Sequence, residues 1–501
     1  MDSGERPLLS TGDQEGPTPE QGTNYDNDID PINGVEDFVK KFLIESKKLW
    51  RLAGPTILLY LCQYSLGAIT QVFAGQVGVL DLAAFAYENL VIAGFSSGIL
   101  YGMGSAVETL CGQAFGAGRV DMLGVYLQRS WIILLATSLV LCFLYIFAEQ
   151  LLKFLGESDE IAKAAGDFAP WMLPQLFAYA LNYPISKFLQ SQRKMMVMCY
   201  ISAVALILHT VFSWLLMLKL GWGLVGAAVV LNVSWWFIVV AQLLYILTGS
   251  CGRAWSGLSR EAFHNLWEFL KLSIASAVML SLEVWYLAIL IVFAGYVKTN
   301  EEVSVDAMSV CMNILAWALM VFLGFNAGIS VRVSNELGAS HPRSTKFSIV
   351  VAIITSLSTA FVLALIPIIF AKQYPSWFST DALVKELVYK LTPLLAISVV
   401  NNVQPVLSGV AVGAGWQTLV AYVNIGCNYI FGIPLGLVLG LKLGLGVEGI
   451  WSGMLSGTMI QTCILFIIIY RTDWNKEASV SGDRIRKWGG DTASAENDVE
   501  K

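Results

Sequence analysis

A single carboxylate lies near the middle of a long apolar stretch of this sequence. Residues 270–298 read LKLSIASAVMLSLEVWYLAILIVFAGYVK, and Glu283 is the one acidic residue among them. A charged side chain at the centre of a bilayer costs about 2.5–3.5 kcal/mol, and removal from water favours the neutral form of a carboxyl group. A carboxyl that is neutral in one conformation and ionised in another can bind and release a proton. We therefore expect Glu283 to couple proton movement to a change of conformation.

Three other glutamates, Glu88, Glu108 and Glu448, fall where apolar stretches begin or end. We expect water or lipid headgroups to solvate them, which leaves Glu283 as the candidate proton carrier. A glutamate inside a membrane helix also serves in some proteins as a hydrogen-bonded packing contact, and that alternative stays open for Glu283.

The elements that hold Glu283 are predicted to be membrane helices. The chain has 501 residues, of which 56% are hydrophobic and 14% charged, a composition too apolar for a soluble protein of this length. A run of about 20 apolar residues crosses a hydrocarbon core about 30 Å thick as a helix. The sequence predicts an all-α polytopic membrane protein with about twelve spans, near 50–76, 88–110, 125–147, 165–189, 196–218, 224–248, 268–296, 305–330, 345–370, 386–411, 418–441 and 447–470.

Polar segments divide the chain into two tails, two helical regions and a linker. Residues 1–48 hold most of the surplus acid and are rich in Gly and Pro, which predicts a disordered cytosolic tail without a cleaved signal. The polar interruption at 249–266 predicts a cytosolic linker between an N-terminal lobe, 49–248, and a C-terminal lobe, 267–470, and residues 471–501 form a second tail. Basic residues cluster before the first span and in even-numbered loops, so we expect both termini in the cytosol.

The two helical regions repeat each other. A shift of about 220 residues aligns VFAG at 72–75 with VFAG at 292–295, and KLGWGLVGA at 219–227 with KLGLGVEGI at 442–450. Because each half has six spans, the second half enters the membrane from the same side as the first, which predicts two parallel six-helix bundles. Such bundles leave a cleft near the membrane midplane, where one half can rock against the other, and this geometry favours a transporter.

Several other activities are disfavoured. No GxxxxGK[ST] motif occurs, so we do not expect this chain to hydrolyse ATP. No nucleophile, base and orienting group recur near one another, which disfavours an enzyme, and neither the histidines nor the cysteines have metal-ligand or paired spacing. The net charge of −6 gives no sign of a nucleic-acid partner. We expect no metal and no cofactor, and an ion gradient as the source of energy.

Five motifs, in order along the chain, carry a family resemblance. They are GMGSAVETLCGQAFGAG at 102–118, PQLFAYALNYPISKFLQSQ at 174–192, SVRVSNELGA at 330–339, LSGVAVGAGWQ at 407–417 and RTDWNKEA at 471–478. Together they resemble the plant detoxification-type, flavonoid-transporter-like members of the multidrug and toxic compound extrusion (MATE) family. The resemblance implies a V-shaped, two-lobed MATE fold that exchanges protons for organic solutes, with a protonatable glutamate in the seventh helix, where Glu283 stands.

Two positions depart from the family pattern. Many relatives carry an aspartate about sixteen residues before the Gln of GWQ, and counting back from Gln417 leads to Asn401. A second acid often follows the first glutamate by five residues, where this sequence has Ala288. An amide cannot titrate, although it can hydrogen-bond a protonated carboxyl. With Glu283 alone we expect one proton per cycle, for which two pH units are worth about 2.7 kcal/mol, or roughly 100-fold accumulation of a neutral solute.

Polar and aromatic residues within the spans are candidates for the wall of the cleft. Amides and aromatic rings offer hydrogen bonds and stacking without a fixed charge, which suits a flat, hydroxylated solute. Each of these aromatic residues can equally serve in helix packing or lipid contact. The cleft candidates are Tyr60, Gln63, Tyr64, Trp285, Tyr286, Asn313, Trp317, Asn401, Asn402 and Gln404. The candidates for helix bends are Pro184 and Pro405, which align within a residue or two in the repeat.

The sequence leaves the transported solute and the membrane open. Flavonoid or phenolic glycosides and alkaloids fit an aromatic cleft, whereas an anion channel or anion transporter of the same fold would be favoured by the missing acids. A lipid-carrier flippase would need basic residues in the cleft, and the spans have almost none. ERPLL at 5–9 resembles an acidic dileucine signal and favours the vacuolar membrane over the plasma membrane. We expect a monomer in the lipid bilayer.

Overall fold

The described part of the chain contains twelve long helices that follow the twelve predicted spans in order. The computed structural model describes residues 28–294, 301–379 and 381–488, and no strand occurs in these ranges. This confirms the predicted all-α architecture. The helices are α1 (Gly34–Val77), α2 (Val79–Gly116), α3 (Val120–Ile146), α4 (Leu173–Ser191), α5 (Met195–Lys219), α6 (Gly223–Ser250), α7 (Leu266–Ala294), α8 (Glu301–Gly338), α9 (Pro342–Ile369), α10 (Ala382–Ala414), α11 (Gln417–Lys442), α12 (Gly446–Arg471) and a shorter α13 (Trp474–Trp488).

The fourth helix is more polar than its neighbours. Eleven helices in the described ranges are long and apolar enough to cross a membrane, and α4 is not among them. Gln175, Asn182, Lys187 and Gln190 lower its hydropathy, and all four are buried. Its polar side chains therefore face other helices and not lipid.

Both tails contain more helix than the composition predicted. α1 begins at Gly34, inside the segment 1–48 that we expected to be disordered, and α13 lies inside the predicted C-terminal tail. α13 is amphipathic, so its mean composition is polar although one face is buried. That face consists of Trp474, Ala478, Ser481, Ile485 and Trp488. Residues 1–27, with the ERPLL motif, and residues 489–501 lie outside the described ranges.

A residue far away in the sequence caps the start of α9. Asp28 accepts hydrogen bonds from the backbone amides of Arg343 and Ser344, both at 2.8 Å. These amides have no acceptor within the helix, so the carboxylate serves as its N-cap. Partial burial raises the pKa of Asp28, but these hydrogen bonds outweigh it and the net pKa is lowered. The segment before α1 is thereby fixed to the C-terminal half.

The two halves pack through repeat-equivalent helices. α1 packs along α8 of the other half, and α7 packs in the same way along α2. Small residues permit both crossings: a side chain on Gly102 would overlap the backbone of Ala277, and one on Gly324 would overlap Ile57. Gly102 and Gly324 align in the repeat, so the two contacts are related by the same internal symmetry.

The halves also meet where α1 begins and α12 ends, a region that we call the terminal face. A side chain on Gly116 would overlap the carbonyl of Asn335, and one on Gly338 would overlap the carbonyl of Gln113. Gln113 aligns with Asn335, and Gly116 with Gly338, so this crossing of α2 and α8 is reciprocal. Helices approach this closely only through small residues.

Hydrogen bonds hold the terminal face together. The Thr109 hydroxyl of α2 donates to the Val412 carbonyl of α10 at 2.6 Å, and the Gln113 amide donates to the Gly413 carbonyl at 3.0 Å. Arg484 of α13 donates to the Gln113 side-chain oxygen at 2.9 Å and to the carbonyl at the end of α10 at 3.1 Å. In this conformation the two halves are therefore joined at the terminal face.

Candidate functional site

Glu283 sits on α7 inside the C-terminal half. Its side chain is half-buried, and its Oε1 atom accepts hydrogen bonds from Gln404 Nε2 at 3.1 Å, Ser408 Oγ at 3.0 Å and Asn424 Nδ2 at 3.3 Å. All three donors are neutral, and no Lys or Arg in the described ranges forms an ion pair with Glu283. The ionised carboxylate is thus stabilised by hydrogen bonds and not by an ion pair, and hydrogen bonds are stronger when the acceptor is charged.

A chain of amides fixes one of these donors. Asn424 also donates to the Met279 carbonyl at 3.1 Å and accepts from Gln461 Nε2 at 2.6 Å. Gln461 in turn accepts from Asn428 Nδ2 at 2.8 Å. Since α11 and α12 supply these residues, the donors around Glu283 depend on how four helices of the C-terminal half pack together.

Asn401, which stands at the family's aspartate position, does not contact Glu283, whereas the cleft candidate Gln404 does. Asn401 donates to Thr458 Oγ1 at 2.9 Å and accepts from Thr462 Oγ1 at 3.1 Å, both on α12. α10 is interrupted between Ala382–Asn401 and Gln404–Ala414, and Pro405 lies in the first turn of the second part. Because of this interruption, the side chains of Asn401 and Gln404 point in different directions. Pro184, by contrast, lies inside the continuous helix α4.

Two aromatic pairs bridge the halves. Trp285 of α7 stacks on Phe95 of α2 with ring centroids 5.1 Å apart, and Tyr64 of α1 meets Trp317 of α8 edge to face, also at 5.1 Å. In the repeat Phe95 aligns with Trp317, and Tyr64 aligns with Val284, the neighbour of Trp285, so the two pairs lie in corresponding regions of the halves. Trp317 is 40% exposed. These rings therefore lie between the two halves, where a solute could contact them.

The remaining cleft candidates have varied surroundings. Tyr286 is buried, and its hydroxyl donates to the Met454 carbonyl at 2.6 Å, so it points into the C-terminal half. Tyr60 is half-buried with its hydroxyl 3.4 Å from that of Tyr101. Asn313 is exposed, whereas Gln63 and Asn402 are half-buried. The side-chain nitrogens of Gln63 and Asn402 are buried and have no hydrogen-bond partner in the described part of the chain.

Two of the three glutamates expected at span ends are buried. Glu108 is 2% exposed and forms an ion pair with Lys187 at 2.6 Å, and Glu88 is fully buried. The expectation was wrong because α2 begins at Val79 and extends to Gly116, which places both residues inside the helix. Glu448 is exposed in the first turn of α12.

A polar stripe on α4 was missed by the sequence reasoning. Gln175, Tyr179, Tyr183 and Lys187 recur every four residues, so they lie on one face of the helix. Tyr179 stacks on Tyr183 at 5.4 Å, and Tyr183 contacts Tyr101 of α2 at 5.4 Å. The Lys187 ammonium lies 5.2 Å from the centre of the Tyr101 ring. The four-residue spacing of these polar side chains within PQLFAYALNYPISKFLQSQ could have predicted the stripe.

The family model MatE matches this chain twice, at residues 55–215 and 275–438. The two matches correspond to the two halves of the internal repeat and together cover more than half of the chain. The chain belongs to the MATE family. It is thus a MATE transporter, as the sequence motifs predicted.

Relatives support this assignment over nearly the whole length. Protein DETOXIFICATION 32 of Arabidopsis thaliana is 60% identical over 468 residues, which cover 93% of this chain and 91% of that protein. Protein DETOXIFICATION 29 of the same plant is 61% identical, with 93% of each chain covered.

Solved structures share the fold. The eukaryotic MATE transporter AtDTX14 superposes with a TM-score of 0.84 and 32% identity, covering 89% of this chain and all of its own. The Vibrio cholerae MATE transporter VcmN in the bent form has a TM-score of 0.76 at 17% identity, with 88% of this chain and 99% of its own covered. This confirms the MATE fold with its two helical bundles.

Proposed function

We propose that this transporter exchanges protons for organic solutes, with Glu283 as a proton carrier. The observation that carries the proposal is the set of three neutral donors on one oxygen of Glu283, in a half-buried site where the described residues provide no basic partner. Such a site binds the ionised carboxylate well as long as the donors stay in place. When they move, the unpaired charge becomes costly and the carboxyl takes up a proton.

This dependence gives a mechanism of coupling. The donors belong to α10 and α11, and Asn424 is positioned in turn by Gln461 of α12. A rearrangement of these helices changes the free energies of the ionised and protonated forms by different amounts. The proton gradient then favours one conformation over the other only through this difference.

We further propose that the terminal face is cytosolic and that the halves rock apart there during transport. The reciprocal glycine crossing and the hydrogen bonds of Thr109, Gln113 and Arg484 close this face in the present conformation. Loading from the cytosol requires these contacts to separate. In that step the groups of the three hydrogen bonds that cross between the halves, from Thr109 to Val412, from Gln113 to Gly413 and from Arg484 to Gln113, must exchange protein partners for water.

The solute that we propose is a flavonoid or phenolic glycoside, or an alkaloid, carried across the vacuolar membrane by a monomer. The support is the position of two aromatic pairs, Trp285 with Phe95 and Tyr64 with Trp317, between the halves. Aromatic faces suit a flat ring system.

Transport by the purified protein in liposomes with an acidic interior tests the proposal. The probes are a flavonoid glycoside, a cationic alkaloid and chloride. We expect the Glu283→Gln variant to lower pH-driven accumulation of an organic probe about tenfold for each unit of the gradient, because one proton carrier is lost. Glu448→Gln, which changes an exposed glutamate at a helix end, is the matched control and should behave as wild type.

Two outcomes would contradict the proposal. Accumulation by folded Glu283→Gln at the wild-type level would remove Glu283 from the coupling. A chloride current that reverses at the chloride equilibrium potential and is undiminished in Glu283→Gln would favour the anion channel.

A further inference from the structure

A second glutamate in the membrane is more deeply buried than Glu283. Glu88 of α2 has no exposed surface, and neither of its carboxyl oxygens has a hydrogen-bond donor in the described part of the chain. It begins a π-helical turn, Glu88–Ala93, within an otherwise α-helical element. Single π-turns of this kind are often found at functional sites. An ionised carboxylate without donors is strongly disfavoured, so this environment holds Glu88 in its protonated form.

The groups that face Glu88 carry no permanent charge. Tyr145 of α3 and Tyr179 of α4 are its electrostatic neighbours, and both are buried. α1, α6 and the short helix Asp159–Phe168 also pack against this segment. Within the described ranges, none of their charged groups forms an ion pair or hydrogen bond with Glu88. Its protonation is therefore controlled by access to water.

A row of tyrosines leads from Glu88 toward the space between the halves. Tyr179 stacks on Tyr183, which contacts Tyr101, and the Tyr101 hydroxyl lies 3.4 Å from that of Tyr60. Tyr60, Tyr101 and Tyr183 are half-buried, in contrast to Tyr179. A phenol both donates and accepts hydrogen bonds, so water that enters between these rings finds hydrogen-bond partners along the row.

We propose that Glu88 is a second proton-binding site, in the N-terminal half, and that each transport cycle moves two protons. The closed tyrosine row retains the proton, as here, and Glu88 takes up or releases it only when the halves rearrange and water reaches the row from Tyr60. The proposal rests on the proposed proton exchange through Glu283. It replaces the single proton per cycle that the sequence led us to expect.

The stoichiometry has a measurable consequence. With two protons exchanged for one neutral solute, each unit of the pH gradient supports about 100-fold accumulation, compared with about tenfold for one proton. In the liposome assay with the flavonoid glycoside as probe, we expect Glu88→Gln to lower the accumulation at one pH unit from about 100-fold to about tenfold. Gln has the shape of a protonated Glu, so the variant should fold. Glu448→Gln again serves as the control.

Further variants separate this proposal from the proposed function. Glu88→Asp keeps an acid, so it should retain part of the additional tenfold accumulation that the second proton supports. Glu88→Gln combined with Glu283→Gln should abolish accumulation. If Glu88→Gln matches wild type while Glu283→Gln loses tenfold, the second site is refuted and the proposed function stands. If neither variant differs from wild type, both are refuted.

An infrared measurement needs no transported solute. A protonated carboxylic acid has its own carbonyl band, and the part of that band lost in Glu88→Gln reports on Glu88. We expect this part to diminish as the pH of the reconstituted protein is raised. A component that stays constant from acidic to alkaline pH would mean that Glu88 never releases its proton, and the second site would be overturned.

Discussion

Replacement of Ser408 by Ala should change the pH at which this transporter works. The Ser408 hydroxyl is buried and donates to Glu283 at 3.0 Å. A hydrogen bond to a charged group contributes about 1.5–3 kcal/mol, and 1.36 kcal/mol corresponds to one pH unit. Loss of this donor destabilises the ionised carboxylate and leaves the protonated form nearly unaffected. The proton then binds at lower proton concentration, so the pH of half-maximal transport rises.

The neighbouring Gln404 keeps the expected shift in pH near the lower limit of this range. Gln404 Nε2 is shared between Ser408 Oγ at 2.9 Å and Glu283 at 3.1 Å, and in Ser408→Ala it can bond to Glu283 alone. We therefore expect a rise of about one pH unit rather than two. The assay is the initial rate of pH-driven uptake of the flavonoid glycoside, measured over a series of pH values with a constant gradient.

Ser138→Ala is the matched control for this experiment. Ser138 is equally buried, and its hydroxyl donates only to the Leu134 carbonyl of its own helix at 2.9 Å. Its removal should leave the pH profile unchanged. A profile of Ser408→Ala that coincides with wild type, or that moves to lower pH, would refute the assignment of Glu283 as a carboxylate held by this donor.

Three further predictions follow from the packing. Lys187→Met alone should lower the stability of the purified protein by about 3–5 kcal/mol, because Glu108 is left buried without its partner, and the double variant with Glu108→Leu should recover most of the loss in thermal unfolding. Gly116→Leu should destabilise the closed terminal face by about 1–3 kcal/mol, because the added side chain overpacks the crossing of α2 and α8. Spin labels on the ends of these two helices should then report longer distances, and unchanged distances would contradict the proposed closure. Asp28→Ala should lower the free energy of unfolding by about 1 kcal/mol at neutral pH, because the cap of α9 is lost. Since the pKa of Asp28 is lowered in the folded protein, the difference in unfolding free energy between the variant and wild type should vanish as the pH falls through and below about 3.8.

The spans and the family were predictable because they depend on patterns that are local or repeated. An apolar run long enough to cross the bilayer must form a helix there, since the backbone has no other partner in lipid. The internal repeat then gave the two halves and their parallel orientation. The amphipathic helix α13 escaped this reasoning, since its buried residues from Trp474 to Trp488 are diluted by a polar face.

The partners of Glu283 could not be predicted from the chain alone. Counting along the sequence led to Asn401, but the interruption of α10 after that residue turns Gln404 and Ser408 toward Glu283 instead. The rotation of one helix segment relative to the next depends on packing. The buried pair of Glu108 and Lys187 was missed for a similar reason, because each residue finds its partner only when α2 and α4 have come together.

The polarity of α4 has a consequence for how the protein is made. A lysine in a membrane segment strongly opposes insertion, and α4 lacks the hydropathy that would offset Lys187. Glu108, which neutralises this lysine, lies on α2 and leaves the ribosome earlier. We therefore expect α2 to remain beside the translocon until α4 inserts, so that the first bundle begins to assemble during synthesis, before the second bundle has been translated.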